Sequence, residues 1–175
     1  KDRKFTYRFL IGPETIGAIT YLSKNIDIMQ RNTIAGFNLS CVGDERCFSY
    51  LPSRSGLTYA DKLAKYVLDN DVEDYISYTW LDRQSDERQY GAPGVDLPFC
   101  SIMRSKYGEY PEYHTSLDNF DVVTQKGLDD TFNLYKKIIF MIENNYKPAL
   151  TILCEPNLGK RGLYPTVNHA NKKKK

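Results

Sequence analysis

No long hydrophobic run occurs in this chain. Its longest apolar stretches, such as the one at residues 138–142, fall far short of the roughly 20 residues that span a bilayer, so no membrane partner is expected. Charge of one sign is also lacking. The sequence sets 24 Lys+Arg against 22 Asp+Glu, and part of that excess is the lysine run at 172–175. Acidic and basic residues alternate through nearly every segment instead of gathering on one face, which argues against a nucleic-acid partner. The four cysteines, Cys41, Cys47, Cys100 and Cys154, form no CxxC pair and have no neighbouring histidine. That pattern excludes a cysteine-rich metal knuckle and predicts free thiols in a reducing cytoplasm. No signal-peptide pattern precedes Phe5, so export is not expected. Histidine is scarce, with two in the chain.

What is present is a succession of strand-like and helix-like patterns. Residues 5–11 (FTYRFLI) read as a buried strand stopped by Gly12 and Pro13. A short helix follows from Glu14 to near Asn25, with Ile16, Ile19, Tyr21 and Leu22 on one face. Residues 34–42 and 47–51 read as strands, and the spacing of Leu57, Ala60, Leu63, Ala64, Val67 and Leu68 predicts a helix. Strands are expected again at 75–81 and 99–103, the second after the loop GAPGVDLP. In the last and clearest helix, Leu128, Phe132, Tyr135, Ile139 and Ile142 mark the expected buried stripe. Alternation of this kind implies an α/β sheet with helices packed on its faces. One domain over residues 1–165 is expected, its final stretch an arm or a connection to a further module, with a disordered Lys-rich tail at 166–175.

Chemistry concentrates in the polar loops. The segment 110–123 (YPEYHTSLDNFDVV) puts His114 among carboxylates and tyrosines, with Asp118 four residues on as a possible holder of the imidazole tautomer. By itself this pattern fits a surface or capping histidine better than a ligand. Asp86 and Glu87 could ligate a metal, grip an amine, or pair with Arg83 and Arg88. Glu14, at a helix start, has a purely structural use in complementing the helix dipole. Loop tyrosines from Tyr90 to Tyr113 either line a pocket or cover the core.

Several of these segments, in order, resemble a known family. YHTSLDNFDVV resembles the closing motif of zinc aminopeptidases and glutaminyl cyclases, which implies zinc binding by His114. SDERQYGAPGVDLPFCSI is similar to the superfamily loop that starts with Ser-Asp and enters a strand, with Ser85, Asp86, Gly94, Val95 and Pro98 in matching places and Glu87 where many members carry histidine. PETIGA resembles the Glu-Glu-x-Gly segment that supplies a general base and a zinc carboxylate; of that pair Glu14 remains, as base or as ligand. NLSCVG puts Ser40 where the superfamily carries a metal-binding Asp, leaving Asp44 as the nearest substitute. Together with LPSRSGLTYADKLA, MRSKYGEYPEYHTSLD and EPNLGKRGLYPT, these segments resemble a bacterial aminopeptidase-like family often encoded near surface-polysaccharide genes.

That resemblance implies a mixed, mostly parallel central sheet with helices on both faces, and a chain carrying the C-terminal half of such a domain, the N-terminal half being the missing partner. It implies a cytoplasmic zinc metallo-aminopeptidase acting on peptide or related amide substrates, with one or two zinc ions. The metal would be held by His114, Glu14, Asp86 and Glu87, in a site incomplete within this chain and therefore inactive alone. Arg104, Tyr107, Tyr113 and Tyr90 would face the substrate, and Asp118 would support the histidine. Two other readings stay open: a zinc amidase or deacylase of surface-polysaccharide metabolism, and a non-catalytic scaffold that binds a glycan or protein.

Overall fold

The structure of the protein, a computed structural model, describes residues 3–164, so the tail expected at 166–175 lies outside the described residues. Two compact units divide the chain, Lys1–Asn144 and Asn145–Lys175. The second has one 3-10 turn at Gly159–Arg161, closed by Gly162 in the left-handed conformation.

The sheet of the first unit has four strands, β1 (Gly36–Asn38), β2 (Phe48–Leu51), β3 (Tyr75–Ser77) and β4 (Phe99–Met103), in the order β1-β4-β2-β3. β1 runs parallel to β4 and β2 parallel to β3, whereas β2 and β4 are antiparallel with Ser49 opposite Met103. The sheet is thus mixed and mostly parallel. β2 is buried at all four positions and β4 at its last four, as inner strands covered on both faces must be.

The helices are α1 (Ile16–Asn32), α2 (Tyr59–Asp71), the single turn α3 (Glu87–Tyr90) and α4 (Gln125–Asn144). Because side chains alternate along a strand, Phe48, Tyr50, Cys100 and Ile102 share one face and pack with α2 and α4. Leu51 and Met103 point the other way and pack with Tyr107. α1 joins Tyr90 and Leu97 in a separate cluster. α2 is fixed at its start by a capping box in which Thr58 and Asp61 bond reciprocally. Among the described residues no helix is long and apolar enough to cross a membrane.

Four expectations need correction. Residues 5–11 form no strand, and Phe9 and Ile11 are 81% and 100% exposed. A strand exists only where a neighbour pairs its N–H and C=O groups, and no described strand does so here. Instead the segment is held at its start, where Glu143 accepts from the Lys4 N–H at 2.8 Å and the Tyr7 hydroxyl at 2.7 Å. Burial and this carboxylate push the Tyr7 hydroxyl up to about 12. Second, the strand expected at 34–42 shortens to β1, since only Gly36–Asn38 pair with β4, and Cys41 beyond it has a positive φ (48°). Third, the strand expected at 75–81 ends at Ser77 and passes into a 3-10 turn at Trp80–Asp82. Fourth, the buried stripe of α4 is Gly127, Thr131, Leu134, Ile138 and Ile142, while Phe132 is 65% exposed. The four cysteines are free as expected, although Cys154 is exposed and only Cys100 is fully buried.

Candidate functional site

Two loops meet where α1 and α3 begin. The chain leaves Pro13 with Thr15 at an unusual positive φ (φ 62°, ψ −65°), the kind of backbone outlier that surrounding contacts must hold in place. One such contact is a 2.6 Å bond from the Thr15 N–H to Asp86 Oδ1. A second is a 2.8 Å bond from Arg88 Nη2 to Thr15 Oγ1. The loop that carries Glu14 is thereby fastened to the loop that carries Asp86. Glu14 itself is exposed.

Burial pushes the Asp86 carboxyl above the ordinary carboxylate range, and the nearby charges of Glu14 and Glu87 add to this, against the Thr15 N–H and Arg88. Glu14 also acts on Tyr113, whose hydroxyl is pushed up by burial first and by Cys41 and Glu14 next. His114 stacks on Tyr113 with ring centroids 3.9 Å apart, is exposed, and has φ 58°. The charge of Glu14 is thus felt at both Asp86 and Tyr113, and His114 joins them only through its stacking on Tyr113.

The other sequence candidates lie elsewhere. Glu87 is fully buried: its Oε1 accepts from the Gln84 N–H at 2.9 Å, the Ser85 N–H at 3.0 Å and the Tyr107 hydroxyl at 2.6 Å. Its Oε2 accepts from Asn38 Nδ2 at 2.8 Å. Tyr107, also buried, ties that carboxylate to the loop after β4. Arg104 is buried with its Nε donating to the Asp44 carbonyl at 2.6 Å and its guanidinium over the Phe48 ring. Tyr90 is buried and stacked on Phe99 with centroids 4.3 Å apart. These side chains brace the loops from inside instead of facing solvent.

Asp118 bonds to the Tyr110 hydroxyl at 3.5 Å, and among the described residues no hydrogen bond joins it to His114. Asp44, the sequence substitute for a metal carboxylate, is buried and accepts from the Arg46 N–H and from both the N–H and the hydroxyl of Ser105. Among the described residues no group of three or more His, Cys, Asp and Glu could hold a metal ion, so the zinc set implied by the resemblance does not fit this chain's residues alone. Sequence reasoning missed Thr15 and Asn38, because a backbone dihedral and a contact spanning 49 residues leave no local mark.

Residues 1–145 match the family model described as a domain of unknown function, DUF4910. A candidate polysaccharide biosynthesis protein with an aminopeptidase-like domain, from Clostridium acetobutylicum, is 43% identical over 165 residues, which are 94% of this chain and 38% of that protein. The crystal structure of a candidate peptidase from Clostridium acetobutylicum is similar with a TM-score of 0.81 at 41% identity, over 93% of this chain and 38% of that one. The chain thus spans less than half the length of either. An aminopeptidase from Aneurinibacillus sp. strain AM-1 shares the fold at a TM-score of 0.60 and 17% identity, over 72% of this chain and 30% of that one. A zinc aminopeptidase from Bacillus subtilis does so at 0.57 and 16%, over 75% and 34%.

Proposed function

The chain belongs to the DUF4910 family of aminopeptidase-like domains, and from that premise we propose that the protein acts in the hydrolysis of peptide or related amide bonds. The observation that carries the reading is the Thr15 N–H bond to Asp86, which holds the Glu14 loop against a second carboxylate.

Two carboxylates at one rim suit a substrate with a free α-amine. Asp86 uses Oδ1 to accept from Thr15, and its Oδ2 has no hydrogen-bond partner among the described residues. That oxygen would receive the protonated amine, which relieves the repulsion between Asp86 and Glu14. Glu14, exposed, would take the proton from the attacking water. Tyr113 and His114 would flank the scissile bond. Zinc, as one or two ions, is the cofactor of this reading; of this chain's residues only His114 would be free to offer a ligand, and the others would have to come from beyond the described residues. The name of the Clostridium relative supports a second substrate class, a sugar-linked amide.

The test uses the complete protein that carries this chain, assayed against aminoacyl anilides and acylated amino sugars. Glu14→Gln should lower kcat about 100-fold, and Asp86→Asn should act mainly by raising KM for substrates with a free amine. Zinc content should be stoichiometric and fall in His114→Ala. Unchanged kinetics in both carboxylate variants would sink the reading, and so would the absence of hydrolysis with every amide tried.

A further inference from the structure

Arg54 and Arg83, with Arg88, which also braces Thr15, line a single open cleft of about 860 Å³ together with Trp80, Leu81 and Pro93. That volume falls in the range of roughly 300–1,000 Å³ typical of small-molecule sites. No residue lining the cleft is acidic. Arg54 forms an ion pair with Asp96, and among the described residues neither Arg83 nor Arg88 is in an ion pair.

Their other engagements leave capacity to spare. Arg83 lies over the Trp80 ring, 4.7 Å from its centroid, and donates through Nη1 to the Trp80 carbonyl at 3.0 Å. Arg88 donates to Thr15 Oγ1 at 2.8 Å. A guanidinium presents about five N–H donors, so each of these keeps several for a guest. Stacking on Trp80 also restricts Arg83, and a guanidinium already held in place loses less freedom on binding. Beside the arginines the wall is apolar, and Leu81 is 83% exposed there.

Cations and apolar surface lining one cleft call for a guest with both characters. We propose that this cleft binds an anionic small molecule, its carboxylate or phosphate gripped by Arg83 and Arg88 and its flat apolar body against Leu81 and Pro93. Planar guanidiniums match both anions, because each offers oxygens spaced for paired N–H donors. This inference stands apart from the hydrolase reading, since it is read by binding alone.

Trp80 lines the cleft, so its fluorescence, read as the difference between the complete protein and its Trp80→Phe variant, reports on the cleft. The protein would be titrated with phenyl phosphate, benzoate, inorganic phosphate and benzyl alcohol. Saturable changes in Trp80 emission are expected with phenyl phosphate or benzoate, and whichever binds more tightly identifies the preferred anion. Benzyl alcohol and inorganic phosphate should each bind about ten-fold more weakly than the better of the two. Added salt should weaken binding, as it does for exposed charges. Arg83→Gln and Arg88→Gln should each reduce affinity about ten-fold, with urea midpoints checked against the parent to show that both fold. Lys136→Gln, on the far helix α4, serves as the charge control and should bind normally. The proposal is overturned by the absence of any saturable change, by equal binding of benzyl alcohol, by equal binding of inorganic phosphate, or by full affinity in both arginine variants.

Discussion

At Glu87 a fully buried carboxylate meets four protein donors, from Gln84, Ser85, Tyr107 and Asn38. A buried charge is tolerable only when its lone pairs are satisfied, and here they are. Glu87→Gln keeps the shape but turns an acceptor into an N–H₂ that faces donors. It should lower the stability by about 2–3 kcal/mol, seen as a fall in the urea midpoint. Asp61 makes a related case at the α2 cap. Burial raises its carboxyl, but bonds from Ser53, Thr58 and Tyr50 outweigh this and leave it below the ordinary range. A depressed folded value means that the stabilisation is complete above the ordinary carboxylate range and disappears as the pH falls through it toward the folded value. Asp61→Asn should therefore cost most near neutrality and progressively less in acid. A stability gap that stays constant down to acid pH would contradict this account. These two sites show why the candidate centre was only partly legible. The types at Glu14, Asp86, Glu87 and His114 stand out in the sequence, but whether a carboxylate is open or already occupied depends on donors far along the chain.

Elements were legible wherever the packing partner is local or the pattern is strong. Strand β4 was expected at its observed bounds, 99–103, and α2 and α4 were expected within a few residues of theirs. What periodicity could not fix was the angle of α4 about its own axis. Both Leu128-Phe132-Tyr135 and Gly127-Thr131-Leu134 are spaced by four and three, so either series satisfies a helical stripe. The choice is made by Gly127, where any added Cβ would collide with the carbonyl of Gly43, so that only glycine allows the helix to approach so closely. The Thr131 hydroxyl confirms the orientation by donating to the Val42 carbonyl at 2.8 Å. Ile138→Ala should then destabilise the protein by about 2–4 kcal/mol through the cavity it leaves. Phe132→Ala removes more atoms and yet should change stability by less than about 0.5 kcal/mol, as substitutions on an open surface do. Comparing the two thermal midpoints tests the rotation directly, and a larger loss for Phe132→Ala would reverse the assignment.

Across the whole first unit, the apolar side chains left in water are unevenly placed. Phe9 and Ile11 are 81% and 100% exposed, and Ile16, just beyond them at the start of α1, is 67% exposed. Aromatic and β-branched side chains so close together along the chain are the usual composition of a buried strand, which is what residues 5–11 look like in sequence. Backbone groups there lack a described strand partner, so both the side chains and the main chain are available for association. Apolar surface of this kind drives molecules together at about 25 cal/mol per Å² removed from water, before the losses of association are counted. The protein should therefore self-associate as its concentration rises and should enhance the fluorescence of an apolar dye in its native state. Replacing Phe9 and Ile11 together by serine should reduce both signals, and because neither side chain is buried, the urea midpoint should hold. Sedimentation velocity at several concentrations reads the first effect. Equal self-association in the double variant would mean that a different surface, such as the exposed face of α4 with Phe132 and Phe140, governs contacts between molecules.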